Sequence, residues 1–411
     1  MKLHFLQRSF YALLGVQFLG AFNDNVWKVV VTLVLIEIAK SHGADYSLKA
    51  QQYSSFVFFV FTFPFLIFSI PAGRIADRMR KSTLIVWTKI SELLIMILAF
   101  ALLLFGYGGF FLLVVLGLMA TQSAFFGPAK YSILPELLPR QKLTAANAHL
   151  QTWTLLAIIM GSACGGFLLE LCSGSMWSLA LVLMMVSFLA LLGSFWITPC
   201  ENQSASKPTE KTLSMKACFH YFRHHPLMWL STWSVSFAWL IVSQASQNIL
   251  VYGKVYLGAS DSLSALPMGV FGAGVAFGSF SLVWISSERK QFQATKLGML
   301  LFAVVHAFLA TLPSYPFLLL LSFVFGLANG LWMTPLQVFL QDRSPDHIRA
   351  SLLGMSNWLS FVGIFLGSLF VGVTASMGMS LSQTFMLVSV LVCAALFVVH
   401  RYGDMAEQEL R

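Results

Sequence analysis

The sequence predicts an all-α membrane protein with twelve transmembrane helices arranged as two six-helix halves. Three observations predict it. The 411 residues are 58% hydrophobic and only 10% charged, too few charges to clothe a soluble surface. Twelve apolar stretches follow one another, each long enough to cross a hydrocarbon core. Lysine and arginine are distributed unevenly between alternate connections, as in proteins oriented by the positive-inside rule.

The stretches fall at 9–39, 53–74, 82–105, 109–131, 143–171, 175–198, 226–252, 263–287, 293–312, 315–341, 350–377 and 381–400. The one long connection, Pro199 to His225, is rich in Ser, Thr, Lys and His. It divides the chain into an N-terminal half (1–198), a cytoplasmic linker (199–225) and a C-terminal half (226–411) ending in a short cytoplasmic tail. With the N-terminus in the cytoplasm, only Lys40, Lys49 and Lys254 fall outside, Lys28 and Lys89 lie deep within spans, and the rest of the 25 lysines and arginines fall inside or at the inner ends of spans. Both termini are therefore expected in the cytoplasm. The same dispersal over short loops excludes a nucleic-acid reading of the net charge of +9. The first span lacks a small-residue cleavage pattern and holds charges at its centre, so it reads as a retained helix, not a signal peptide. Five cysteines, odd in number and without CxxC spacing, read as buried or loop thiols and not as a disulfide or metal framework.

The first span carries the least expected residues. Gly20-Ala21-Phe22-Asn23-Asp24-Asn25-Val26-Trp27-Lys28 lies at membrane depth, where each polar side chain is costly and marks a functional site by default. Asp24 and Lys28 are spaced i,i+4 and can neutralise each other on one helix face. A structural ion pair is one reading. The two asparagines flanking the aspartate have no packing purpose, which favours a polar site for a ligand head group.

The halves look related. Gln122, Phe126, Pro128 and Lys130 in the fourth span recur in register as Asn329, Met333, Pro335 and Gln337 in the tenth. Each is followed by a span with an early asparagine (Asn147, Asn357) and then small residues, Gly161 to Gly166 and Gly363 with Gly367. Internal repetition of this kind predicts a transporter with its substrate site between the halves near the midplane.

Gly73-Arg74-Ile75-Ala76-Asp77-Arg78-Met79-Arg80-Lys81 follows the second span. It resembles the GxLaDrxGrk signature of the major facilitator superfamily, keeping Gly73, Asp77, Arg78 and Lys81, with Arg80 where a second glycine is usual. Glycine permits close helix approach, and an aspartate suits the free N–H groups of a neighbouring helix N-terminus. The resemblance implies the major facilitator fold and a conformational latch between the halves formed by this stretch. The counterpart near Ser286-Ser287-Glu288-Arg289-Lys290 is degenerate. In that superfamily spans 1, 4, 7 and 10 line a central cavity. Here they carry polar stripes at helical spacing: Gln17, Gly20, Asp24 and Lys28; Gln122, Phe126 and Lys130; Ser236, Ser243, Gln244, Gln247 and Asn248; Asn329, Met333, Gln337 and Gln341. Lys89 and Glu92, at i,i+3 in the third span, read as a structural pair.

A narrower resemblance rests on Phe22-Asn23-Asp24-Asn25, on Phe126-Gly127-Pro128-Ala129-Lys130-Tyr131 through Leu134-Pro135-Glu136-Leu137, and on Pro335-Leu336-Gln337 with Gln341-Asp342-Arg343. These stretches resemble the bacterial lysophospholipid transporter family (LplT type) and the membrane half of Aas-type acyltransferase fusions. Gln337 departs from the asparagine common there. The resemblance implies a flippase that moves lysophospholipids, chiefly lysophosphatidylethanolamine, from the outer to the inner leaflet of the bacterial cytoplasmic membrane. A separate acyltransferase/acyl-ACP synthetase would then rebuild the diacyl lipid, since this chain ends soon after its last span. Lys130 suits the phosphate and Asp24 the ammonium, while Asn23, Asn25 and Gln341 suit the glycerol and ester oxygens. The expected substrate-binding set is Asn23, Asp24, Asn25, Lys28, Gln122, Lys130, Gln244, Gln247, Gln337 and Gln341. The expected latch is Gly73, Asp77, Arg78 and Lys81. Most of the 38 phenylalanines, such as the Phe56–Phe63 run, read as lipid-facing surface.

The expected partners are the lysophospholipid and the surrounding membrane lipids, with no nucleic acid, metal or cofactor, and a monomeric state. The alternative within the same fold is a proton-coupled exporter of drugs or small metabolites. The proline of the antiporter run is missing from Gly161–Gly166, which weighs against it. An acyltransferase would need HxxxxD spacing; His400 to Asp404 is one residue short, so the chain is not expected to be an enzyme.

Overall fold

Apolar runs of this length bury their own backbone hydrogen bonds as helix, the one open structure lipid tolerates without a closed sheet. The computed structural model describes residues 2–138, 142–172, 175–197, 214–282, 287–345 and 348–409; the side chains of 2–7, 77, 144, 145, 148, 288, 289, 350 and 402–409 lie outside that description. Within it the helices are α1 (Lys2–Ala39), α2 (Tyr46–Arg78), α3 (Lys81–Leu104), α4 (Phe110–Ser132), α5 (Leu134–Leu137), α6 (Leu143–Leu171), α7 (Met176–Ser194), α8 (Met215–Arg223), α9 (Pro226–Val251), α10 (Asp261–Ser281), α11 (Glu288–Leu309), α12 (Tyr315–Arg343), α13 (Arg349–Ser376) and α14 (Leu381–Glu409). Eleven stretches are long and apolar enough to cross a membrane. The first of them, Arg8–Ala76, is 69 residues long and takes in most of both α1 and α2. A 3-10 turn at Lys40–Asp45 separates the two helices, with Gly43 at φ 55°, a value glycine adopts freely. Lys28 of α1 lies over the rings of Phe58 and Phe61 of α2, so the chain reverses direction at this turn.

The chain separates into two compact units. The first comprises Met1–Ile38, Phe56–Ser206 and Ala259–Ala265; the second comprises Ala39–Ser55, Lys207–Gly258 and Leu266–Arg411. In the first unit, α3 packs on α4 and α7, and the four-residue α5 bridges α4 and α6. Phe10, Leu13 and Val16 of α1 join Ile85, Phe126, Ala129, Leu134, Leu137 and Leu150 in one buried apolar cluster. The small residues of the fifth predicted span let α6 press on α1. A Cβ at Gly161 would sit 2.6 Å from the Phe22 carbonyl, and one at Gly165 would sit 2.8 Å from Val29 Cβ.

The second unit repeats the device with different residues. There α13 packs on α9, and Cβ atoms at Gly363 and Gly367 would collide with the carbonyls of Ser236 and Leu240. Ser236 and Ser243 donate to the carbonyls of Leu359 (2.6 Å) and Ile364 (3.0 Å) across the same seam. Gly274 and Gly278 of α10 face Gly326 and Gly330 of α12, a close crossing of the small-xxx-small kind. Phe302, Phe325, Trp332 and His306 form an aromatic knot, with Phe302 4.5 Å from Phe325 and 4.9 Å from Trp332 between ring centres.

Two expectations need correction here. The predicted linker 199–225 is not loop throughout: 214–225 is described, and Met215–Arg223 is helix α8. Cys218 and Phe222 lie one turn apart, which gives the segment an apolar face that buries against Leu340, Leu352, Met355 and Leu359. Residues 199–213 lie outside the described residues. Gly73 makes no close helix approach either: among the described residues, no heavy atom beyond its chain neighbours and its own helix backbone lies within 4 Å of the position its Cβ would take.

Candidate functional site

The first unit is assembled around α1, whose polar side chains each meet a different neighbour. Towards α4 there are two rungs. Lys130 Nζ donates to Gln17 Oε1 at 3.0 Å, and Ser123 Oγ donates to Asp24 Oδ2 at 2.5 Å. The rungs are seven residues apart on each helix, about 10 Å along the axis. Gln17 also reaches α6, donating to Thr154 Oγ1 at 2.8 Å. Gln122 Nε2 donates to Ser123 Oγ at 2.8 Å, so Gln122, Ser123 and Asp24 form one chain. That chain ends in two buried acceptors, Asp24 Oδ1 and Gln122 Oε1, that no described donor meets. Unanswered buried acceptors are rare enough in native structures that each needs an explanation.

Asp24 does not pair with Lys28, contrary to the i,i+4 expectation, nor with Lys130. Ion pairs do form at Lys81–Glu136 and at Lys89–Glu92. The reason lies in α2. Lys28 Nζ sits 4.8 and 4.9 Å from the ring centres of Phe58 and Phe61 and donates to Asn25 Oδ1 at 2.7 Å. Two aromatic faces and an amide oxygen solvate the ammonium and turn it away from the aspartate. Asn25 is held in turn by the Ala21 carbonyl at 2.8 Å. Phe58 therefore supports a charge and does not face lipid, whereas Phe56 and Phe63 are exposed as expected.

Lys89 and Glu92 of α3 form the predicted pair, at 2.6 Å and almost wholly buried. The pair belongs to the same polar interior. Asn23 Nδ2 donates to Ser187 Oγ at 2.8 Å and to Glu92 Oε1 at 3.3 Å. Lys89 Nζ lies 4.3 Å from the ring centre of Phe126. The structure thus brings Asn23, Asp24, Asn25, Lys28, Gln122 and Lys130 into one unit and adds Gln17, Lys89, Glu92, Ser123 and Ser187. The charge of Lys89 and Glu92 at membrane depth marks them in the sequence as a pair, though not as part of this interior. Ser123 and Ser187 carry no signal in the sequence, because serine is tolerated in any span.

In the second unit, Gln244, Gln247 and Asn248 are fully buried on α9. Gln247 Nε2 donates to the Ser243 carbonyl at 3.0 Å, while both amide atoms of Gln244 and of Asn248 and the Oε1 of Gln247 have no described partner. Gln337 is half-buried and Gln341 is exposed in the last turn of α12. Of the expected latch, Lys81 pairs with Glu136 at 2.7 Å, tying the start of α3 to α5. Arg78 is exposed, the Asp77 side chain lies outside the described residues, and so do 283–286 and the side chains of Glu288 and Arg289 in the counterpart stretch. Among the described residues there is no cluster of side chains suited to a metal ion.

A multi-pass helical membrane protein that keeps lysines, carboxylates and amides inside its helical units is built as transporters are. The chain belongs to the Major Facilitator Superfamily, whose family profile matches residues 13–368. It is similar to the "Lysophospholipid transporter LplT" of Photorhabdus laumondii, 28% identical over 351 residues that cover 82% of this chain and 81% of the relative. It is similar to the protein of that name from Escherichia coli O1:K1, 26% identical over 390 residues covering 88% and 89%. Among solved structures it resembles a bacterial homologue of the human lysosomal transporter Spinster in an inward-facing, unoccupied conformation. The TM-score is 0.70 at 16% identity, covering 97% of each chain, which bears on the fold alone.

Proposed function

We propose that this protein is a lysophospholipid flippase of the bacterial cytoplasmic membrane. It moves lipids such as lysophosphatidylethanolamine from the outer to the inner leaflet by alternating access. The similarity to the lysophospholipid transporters over most of the chain supports the substrate class. The observation that carries the site is the arrangement of Asp24 and Lys130. Each is held by a neutral side chain, Ser123 or Gln17, and neither is neutralised by the other. A zwitterionic head group supplies the missing partners: its ammonium donates to Asp24 Oδ1 and Gln122 Oε1, and its phosphate accepts from Lys130. Asn23, Asn25 and Gln341 suit the glycerol and ester oxygens, and Gln244, Gln247 and Gln337 are further proposed substrate contacts.

The Arg8–Ala76 stretch crosses twice in this reading. As one straight helix it would measure on the order of 100 Å, against a hydrocarbon core of about 30 Å. With the ten remaining stretches this makes twelve spans in two halves of six, both termini cytoplasmic, acting as a monomer. The product is handed to a separate acyltransferase. Asp77, Arg78 and Lys81 form the cytoplasmic latch.

Uptake of labelled lysophosphatidylethanolamine by spheroplasts tests the reading, comparing the wild type with Asp24→Asn and Lys130→Ala at matched expression. Uptake is expected in the wild type and is expected to fall at least about tenfold in each variant, the scale of one buried charge-assisted contact. Wild-type uptake that survives both substitutions removes the site and keeps the substrate. Uptake no greater than in empty-vector cells removes the lipid, and a proton-coupled exporter becomes the reading.

A further inference from the structure

α8 is short, basic and docked at one end of the second unit. Ser214 caps it, accepting from the Ala217 N–H at 3.3 Å, and His220 and Arg223 in its last turn suit the negative end of the helix dipole. Pro226 opens α9 immediately afterwards and fixes the turn. Cys218 and Phe222 pin the inner face of α8 to α13, where Cys218 Sγ lies 3.7 Å from the Ser351 carbonyl. The outer face carries Lys216, Phe219, His220 and Arg223, all exposed. A cavity of about 390 Å³ opens there, lined by Met215, Lys216, Phe219, His220, Arg223 and Met355. The lining holds three basic side chains and no acidic one, and neither Lys216 nor Arg223 forms an ion pair among the described residues.

Beside the cavity runs an aromatic ladder. Phe219 stands edge-on to Trp229 at 4.9 Å, and Trp229 edge-on to Trp233 at 5.4 Å. Phe219 and Trp233 are each 41% exposed. Amphipathic rings at the first turns of a span belong at the level of lipid head groups. A basic helix lying beside them faces the phosphates of that leaflet and is drawn to anionic lipid.

We propose that the α8 cavity is a binding site for an anionic phospholipid of the surrounding leaflet, separate from the transport site. Its phosphodiester is held by Lys216 and Arg223, and its upper acyl carbons lie along Phe219, Met215 and Met355. The leaflet is cytoplasmic if the topology of the proposed function holds; the site itself does not depend on transport. An arginine fork gives a phosphodiester two parallel hydrogen bonds where lysine gives a point charge, so the two residues are complementary and not redundant.

The test is lipid retention by the purified full-length protein in detergent, read by native mass spectrometry. Dioleoyl phosphatidylglycerol is compared with dioleoyl phosphatidylcholine at equal concentration. The glycerol lipid is expected to bind at least about tenfold more tightly, and Lys216→Gln with Arg223→Gln to abolish that preference. Lys290→Gln, an exposed lysine elsewhere in the same unit, is expected to leave it intact. Equal retention of the two lipids by the wild type overturns the proposal without any variant. So does an equal loss in Lys290→Gln, which would mean diffuse attraction, or displacement by millimolar inorganic phosphate, which would mean a free-anion site. The uptake experiment does not touch α8, so either conclusion can fail while the other stands.

Discussion

Lys89 and Glu92 show how a single pair of residues constrains the interior of the first unit. Both are removed from water almost completely, so their attraction must offset the loss of two hydration shells. A pair of this kind adds little net stability, but breaking one side of it is expensive. Glu92→Gln alone leaves Lys89 buried and is expected to cost about 3–5 kcal/mol, whereas Lys89→Met combined with Glu92→Gln is expected to recover most of that. Thermal unfolding in detergent checks it: a double variant as unstable as the single would mean that the pair is itself a strong stabilising contact. Lys28 follows another logic. Its charge is answered by ring faces, so Phe58→Leu with Phe61→Leu keeps an apolar neighbour, loses the rings and some packing volume, and is expected to remove about 2 kcal/mol of stabilisation or more. Protease resistance of the folded protein reads this loss, and an unchanged digestion rate would rule out a cation–π role. Residue types at membrane depth were readable from the sequence, and the polar character of α1 followed from them. Partners were not. The i,i+4 rule pairs Asp24 with Lys28 on an isolated helix, but the rings that win the lysine lie thirty residues further along the chain.

At the scale of the element, glycine decides where helices touch. Gly161→Ala places a methyl group against the Phe22 carbonyl, which is backbone and cannot yield, so α6 must move off α1. Expression of folded protein and uptake are both expected to fall. Gly73→Ala meets open space and is expected to be neutral or to gain up to about 1 kcal/mol as a helix-interior substitution. A strong loss on Gly73→Ala, seen as a lower unfolding temperature, would mean that the motif glycine is needed for contact after all. The sequence signature marks this glycine as a packing residue, yet a motif preserves residue types without saying which of them a given chain uses. α8 was hidden for another reason. A nine-residue helix inside a polar connection has too few turns for its period to stand out, and its stripe becomes evident only against the α13 residues it covers. Burial pushes the Cys218 thiol above its ordinary pKa, so little thiolate is present at neutral pH. With Cys218 as the sole cysteine, maleimide labelling is expected to be slow near pH 7, faster as pH rises, and accelerated by Phe222→Ala; rapid labelling at pH 7 would show that α8 does not stay docked.

On the scale of the whole molecule, the succession of membrane-crossing stretches was legible because hydropathy is a property of long windows, and the charge asymmetry predicts an orientation that can be tested. A reporter active only in the cytoplasm is expected to work when fused after residue 225 and to fail when placed in the 40–45 connection; the reverse pattern would invert the orientation. The recurrence of glycine-mediated packing, α6 on α1 and α13 on α9, was legible as paired small-residue runs at matching places. Grouping by contacts was not legible, since the beginnings of α2 and α10 cluster with the unit opposite to the rest of their helices. The reversal at Gly43 has a consequence for biogenesis. A lone lysine and aspartate near the centre of a nascent segment each oppose release into the bilayer by about 3 kcal/mol. Beyond Asn25 of its own helix, Lys28 meets its solvating groups only when Phe58 and Phe61 emerge from the ribosome. The two helices should therefore leave the translocon together as a hairpin, with α2 acting as an intramolecular chaperone for the Lys28 ammonium of α1. In glycosylation mapping, a chain truncated before α2 should insert α1 poorly, and extending it through Phe61 should restore insertion.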